Sequence, residues 1–185
     1  MKYKLPDGFE NREEAMEALI KKEIDAAESE LSAVRQDIEK FLLEEKGYAA
    51  TEIEKDREFE VLIGNERCKS KTDIVIIIDG KRLVLIKCSV GALVSRERQA
   101  VACARVLDSY QIPFAVVTDA ADAIMLDTLT GNVVGEGLAK IPSRTELGEL
   151  LQKIEFKKLA PDRAEKEKRI LLAFDAIKCT INYGE

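Results

Sequence analysis

Apolar residues recur along the first quarter of the chain, mostly at three- and four-residue spacings or their sum: Ala15, Leu19, Ile24, Leu31, Val34, Ile38, Phe41 and Leu42. That spacing predicts a helix over residues 12–46. Asn11 with Glu14 three positions on makes a capping-box-like start, and Gly47 suits the position just past the end. The stretch is long for one globular helix, so a break is expected near residues 27–32. The more apolar second half is expected to pack on the core, and the first half to form an arm or a dimer contact.

The period then changes. REFEVLIG (57–64) begins with alternation, as in a half-exposed strand. KTDIVIIID (71–79) and KRLVLIKCSV (81–90) are unbroken aliphatic runs, which suits strands buried on both faces. Asp79-Gly80 between them is a two-residue hairpin signal. Helical spacing returns over 95–110, with Ser95 as the cap and Ala100, Ala104 and Leu107 on one face. IPFAVVTDA (112–120) is a buried strand, and 123–135 a strand, a Gly-Asn turn and a short return strand. Two helices close the chain: 143–156, capped by Ser143 with Glu146, and 161–179, with Pro161 at its start. The helix between strands 81–90 and 112–120 implies one parallel pairing in an otherwise antiparallel sheet. The fold class is α/β, a mixed sheet flanked by helices.

Composition narrows the chemistry. With 185 residues, 46% hydrophobic and 35% charged, the chain has the balance of one globular domain. No apolar run reaches membrane-spanning length, and the N-terminus lacks the apolar core of a secretory signal, so a cytoplasmic protein is expected. The four cysteines (68, 88, 103 and 179) form no CxxC pair, and reduced thiols are expected. Histidine is absent, which removes Ser/His and Cys/His nucleophile schemes. Carboxylates, lysines, tyrosines and a hard metal ion on oxygen ligands remain.

The net charge of −6 is uneven. Residues 1–60 hold 10 basic and 18 acidic groups, and residues 61–185 hold 19 and 17. Such a chain is a poor non-specific ligand for duplex DNA, whose affinity comes mainly from phosphate neutralisation. A local nucleic-acid-binding face would have to use Arg67, Lys69, Lys71, Arg96 and Arg98.

Strand alternation places Asp73, Val75 and Ile77 on one face, and Leu83, Leu85, Lys87 and Ser89 on one face of the next strand. In a hairpin turning at Asp79-Gly80, positions adding to about 160 oppose each other. Asp73 is therefore expected opposite Lys87.

An aspartate strand, a hairpin and a strand ending in a lysine-bearing triplet resemble the core of the PD-(D/E)xK nucleases. Further pieces resemble the N-terminal nuclease domain of type I restriction enzyme R subunits. VRQDIEKFLLEEKGY is similar to its Arg-Gln helix and Gly-Tyr exit, KTDIVI to its aspartate strand, RQAVACARVL to its Gln-x-x-x-Tyr helix at Gln99, and IPFAVVTDAADAIMLDTLTGNVVG to the strand and small-residue turn that follow. The similarity spans residues 30–150. It implies a restriction-endonuclease-like domain over 31–156, an N-terminal helical arm over 1–30, and a C-terminal helix within 157–185 packed on the domain.

In that family Mg²⁺ sits between two carboxylates, and a lysine helps activate water. Here Asp73 and Gln99 stand at their motif positions. Lys87 occupies the second carboxylate position, Ser89 the lysine position, and Cys103 the tyrosine position. A cation about 4 Å from a divalent ion repels it by roughly 8 kcal/mol at an effective dielectric of about 20. The expected outcome is an Asp73–Lys87 ion pair, no cofactor, and an inactive domain that binds nucleic acid or another protein.

Two alternatives carry different expectations. In one, the nuclease is active with Mg²⁺, Lys87 is the catalytic lysine, and the second carboxylate has migrated to Glu60 or Glu39. In the other, the chain is a structural or homodimeric protein. Its contacts would be the acidic arm and the stripe Ile170, Leu171, Phe174 and Ile177 of the last helix.

Overall fold

The helix expected to break does not. In the computed structural model, which describes residues 11–179 and their side chains as far as Asp175, α1 runs uninterrupted from Arg12 to Glu44. No glycine or proline interrupts that span, so nothing in it forces a kink. Asn11 accepts the Glu14 N–H at 2.9 Å. At the other end Gly47 takes φ +75°, and the Tyr48 N–H returns to the Leu42 carbonyl (3.1 Å). Residues 1–10 of the expected arm and 180–185 of the expected C-terminal segment lie outside the described residues, as do the side chains of Ile177 and Cys179.

Eight strands follow, five of them before residue 90, where three were expected. They are β1 Ile53–Lys55, β2 Glu58–Ile63, β3 Glu66–Lys71, β4 Ile74–Ile78, β5 Lys81–Cys88, β6 Phe114–Thr118, β7 Ala123–Asp127 and β8 Val133–Glu136. β1 and β3 were not legible: β1 is only three residues long, and ERCKSK carries no apolar alternation. The 71–79 run is also divided, because Lys71 ends β3 and Asp73 stands just before β4.

Six strands form a mixed sheet in the order β1-β4-β5-β6-β7-β8, and β2-β3 form a separate hairpin. β5 and β6 are parallel and the other neighbours antiparallel. The helix connecting that parallel pair, α2, spans Val94–Val106. Ser95 is not its cap: Leu93 holds that place with no side-chain hydrogen bond, and the Ser95 hydroxyl donates to the Ala92 carbonyl (2.6 Å). α3 (Arg144–Leu151) is shorter than expected but has the Ser143–Glu146 capping box, and α4 covers Pro161–Cys179.

Both sheet faces are covered. On one, Ile38 and Leu42 of α1 and Leu147 of α3 pack on Ile74, Ile76, Ile86 and Val116. On the other, Ala100, Ala102 and Ala104 of α2 and Leu171 of α4 pack with Val75, Leu85, Val117 and Leu126, and Val61 of the hairpin joins them. Continuous aliphatic strands follow from this double burial. α2 lies between sheet and α4, so every residue from Gln99 to Arg105 is buried. Small side chains at 100, 102 and 104 permit that close approach.

Candidate functional site

The β4–β5 hairpin sets the site. Ile78 pairs with Lys81 across Asp79-Gly80, whose φ values of 49° and 73° fit a type I′ turn. Simple alternation from that turn would oppose Asp73 to Ile86. The register changes between Ile76 and Ile77: Ile77 pairs with Arg82, but Ile76 pairs with Val84. Leu83 is the extra residue of a β-bulge. From there the pairing continues as Val75–Leu85 and Ile74–Ile86, which brings Lys87 opposite Asp73. The bulge also corrects an expected face: Leu83 packs in the α1-side core, away from Leu85.

Asp73 is 2% exposed and its carboxylate is fully engaged. Lys87 Nζ lies 2.9 Å from Oδ2, which also accepts the Cys88 N–H at 3.0 Å. Arg35 Nε donates to Oδ1 at 2.9 Å. Burial alone would raise this carboxyl's pKa, but the charge and hydrogen bond of Lys87, then Arg35, then the Cys88 amide outweigh it and hold the value below the ordinary one. A buried carboxylate with two cations and an amide is an internally satisfied group.

Arg35 is the partner that sequence reasoning missed. It lies in the VRQ stretch of α1, but its target is 38 residues away, and helical periodicity reads no such distance. Its Nη1 also reaches Asp56 at 3.9 Å.

The other motif positions adjoin this pair. Ser89 follows β5, its N–H donating to the Thr118 carbonyl (2.9 Å). Gln99 is buried on α2; its Nε2 donates to Asp175 Oδ1 (3.3 Å), and its Oε1 accepts from Arg96 (3.4 Å). Asp175 also accepts the Ser70 hydroxyl at 2.7 Å, so it links α4 to both α2 and the hairpin. Nothing in the sequence pattern marked Asp175. Cys103, at the tyrosine position, is buried, and burial pushes its thiol up to about 12.

The remaining candidates spread out. Glu60 stands exposed on β2 beside Arg67 (3.6 Å), and Glu39 binds Lys55 at 2.6 Å. Both have cation partners of their own. Lys69 and Lys71 line a cavity of about 250 Å³ with Arg35 and Lys87, and with the acids Glu58, Asp73 and Asp175. On the hairpin, Glu58 pairs with Lys71 and Glu60 with Lys69, so the acids of β2 offset the bases of β3. Arg98 turns elsewhere: it lies 2.6 Å from Glu167, a buried residue of α4 that Arg105 also holds at 2.8 Å. The five candidate residues Arg67, Lys69, Lys71, Arg96 and Arg98 thus divide between the hairpin and α2. Among the described residues no helix is long and apolar enough to cross a membrane.

Compared with known proteins, residues 30–142 match a family described as the type I restriction enzyme R protein N terminus, which is more than half of the chain. No curated protein and no solved structure matches.

Proposed function

Because this chain belongs to the family of type I restriction enzyme R protein N-terminal domains, we propose that it is a nuclease-like domain that binds nucleic acid without hydrolysing it. The observation that carries this reading is the saturation of Asp73 by Lys87, Arg35 and the Cys88 amide.

The donor set does not fit the Mg²⁺ that such folds use. A divalent ion needs several oxygen ligands with free lone pairs. Both oxygens of Asp73 already accept from cations, and an ammonium stands where the second carboxylate would be. No group of three or more Asp, Glu, Cys or His among the described residues could hold a metal ion. Displacing Lys87 would leave a buried ammonium without its partner, which costs several kcal/mol. Glu60 and Glu39 would each have to abandon a cation to replace the missing ligand.

Binding without hydrolysis keeps the scaffold and the polar cluster of Lys87, Gln99 and Arg96 beside α2. It also suits a cytoplasmic protein: Cys88 and Cys103 are free, buried thiols.

The test is cleavage of single- and double-stranded DNA and RNA with Mg²⁺ and with Mn²⁺. No product is expected. Metal-dependent cleavage abolished by Asp73→Ala would refute the proposal. The double substitution Lys87→Glu with Ser89→Lys rebuilds the motif, and it is expected to gain Mn²⁺ binding that the natural protein lacks, read by electron paramagnetic resonance.

A further inference from the structure

The apolar stripe of α1 does not stop where the core does. Ile20, Ile24, Ala27, Leu31, Val34, Ile38 and Phe41 follow one another at alternating steps of four and three, so they share one face of the helix. From Leu31 onward that face packs in the core, and no residue of α1 before Leu31 belongs to either core cluster. Met16 extends the stripe by one more turn. Met16 and Ile20 are 50% and 45% exposed, and Leu19 beside them is 48% exposed. Ala15, which is buried, is turned away from the stripe. Residues 12–30 thus form an arm about 28 Å long at 1.5 Å per residue. The family match begins only at residue 30, so the arm is additional to the shared domain. We propose that this arm is the docking site for a basic amphipathic helix of another protein.

Charge selects the occupant. Residues 12–30 carry seven acidic and three basic groups, a net of −4. In the heptad that the spacing defines, Ile24 and Leu31 stand at a, and Ile20 and Ala27 at d. Glu23 and Glu30 then stand at g, and Lys21 and Glu28 at e, which are the positions whose charges choose a partner. Glu17 falls in the stripe itself, one heptad before Ile24. All four of these glutamates are exposed. Pairing with a second copy would bring two arms of this net charge together and leave Glu17 in a seam that holds no cation. The same charge repels a nucleic-acid backbone or an anionic membrane. A helix with apolar a and d positions and Lys or Arg at e and g covers the stripe and neutralises its flanks. A solvated helix of about five turns is marginal on its own, so such a partner would also order the arm.

Fluorescence anisotropy with the full chain tests it. The probe is a labelled synthetic peptide of about three heptads, with Leu at a and d and Lys at e and g. One control carries Glu at e and g, and a second keeps the composition of the basic probe with its leucines scattered. The basic probe is expected to bind at micromolar level, with protection from hydrogen exchange gained across residues 12–30. Neither control is expected to bind. Ile20→Ser with Ile24→Ser is expected to weaken binding at least several-fold while the thermal transition stays in place, since both residues lie outside the core. Glu23→Lys with Glu28→Lys is expected to bind the acidic control in place of the basic probe. No binding of the basic probe overturns the proposal. Equal binding of the scattered control overturns it too, as does binding that Ile20→Ser with Ile24→Ser leaves unchanged. Sedimentation equilibrium of the chain alone covers the other occupant. A monomer is expected, and a dimer dissolved by Ile20→Ser with Ile24→Ser would assign the stripe to a second copy and overturn the proposal.

Discussion

Asp73 draws its partners from the adjacent strand, the long helix and its neighbour's backbone, so its removal and the removal of a partner are not equivalent. Asp73→Ala leaves Lys87, 7% exposed, without a counter-charge, and is expected to cost about 3–5 kcal/mol. Lys87→Met leaves Asp73 with Arg35 and the Cys88 amide, and is expected to cost clearly less. Urea unfolding of the two variants checks the order, and a reversed order would contradict it. The same carboxyl fixes the sign of a pH effect. Its pKa in the folded protein lies below its unfolded value of about 3.9. The stabilisation is therefore complete well above that value and is lost as pH falls through the folded one. Stability measured from pH 7 to 3 is expected to fall less steeply in Asp73→Asn than in the natural protein. Equal slopes would show that Asp73 contributes nothing. At this scale the pairing was legible because it needs only a turn and a count. That count succeeded through a bulge at Leu83 that no sequence rule located, and Arg35 and Asp175 stayed hidden because each meets its partner across a long stretch of chain.

Among the elements, α2 and α4 form the least expected partnership. Glu167 is 2% exposed and is clamped by Arg98 and Arg105, while Arg105 also donates to the carbonyls of Thr128 (2.8 Å) and Leu129 (3.3 Å). Glu167→Ala leaves a buried guanidinium short of its acceptor, and about 3–5 kcal/mol of destabilisation is expected. Hydrogen exchange should show it first as loss of protection in α4. A weaker lever is the start of α3, where Ser143→Ala removes a capping box and is expected to cost about 1 kcal/mol of global stability, read by urea unfolding. Period and caps made α1, α3 and α4 readable. They misjudged α2, since a helix covered on both sides shows no polar face and a serine near its start looks like a cap. They missed β1 and β3, whose pairing is decided by neighbours rather than by their own pattern.

On the scale of the whole molecule, charge is divided more finely than the net −6 conveys. The acids of β2 sit opposite the bases of β3, and Arg98 is committed to Glu167, so few cations remain to meet a nucleic-acid backbone. A domain neutralising about two phosphates has a slope of log K against log salt near −2. Fluorescence anisotropy of a labelled duplex between about 50 and 200 mM salt is expected to give weak binding with a slope no steeper than that. A slope of several units would reveal a basic face that the structure does not assemble.

The burial of α2 from both sides has one more consequence, for where this protein can be cut. The family match ends at residue 142, but the helix that covers the outer side of α2 begins at Pro161. A fragment trimmed to the matched stretch would expose Val101 and the neighbourhood of Leu171's contacts to water and leave Arg105 facing solvent where Glu167 had been. The region recognisable by ancestry is thus smaller than the region that folds, and a fragment cut to the first alone should be recovered as an aggregate.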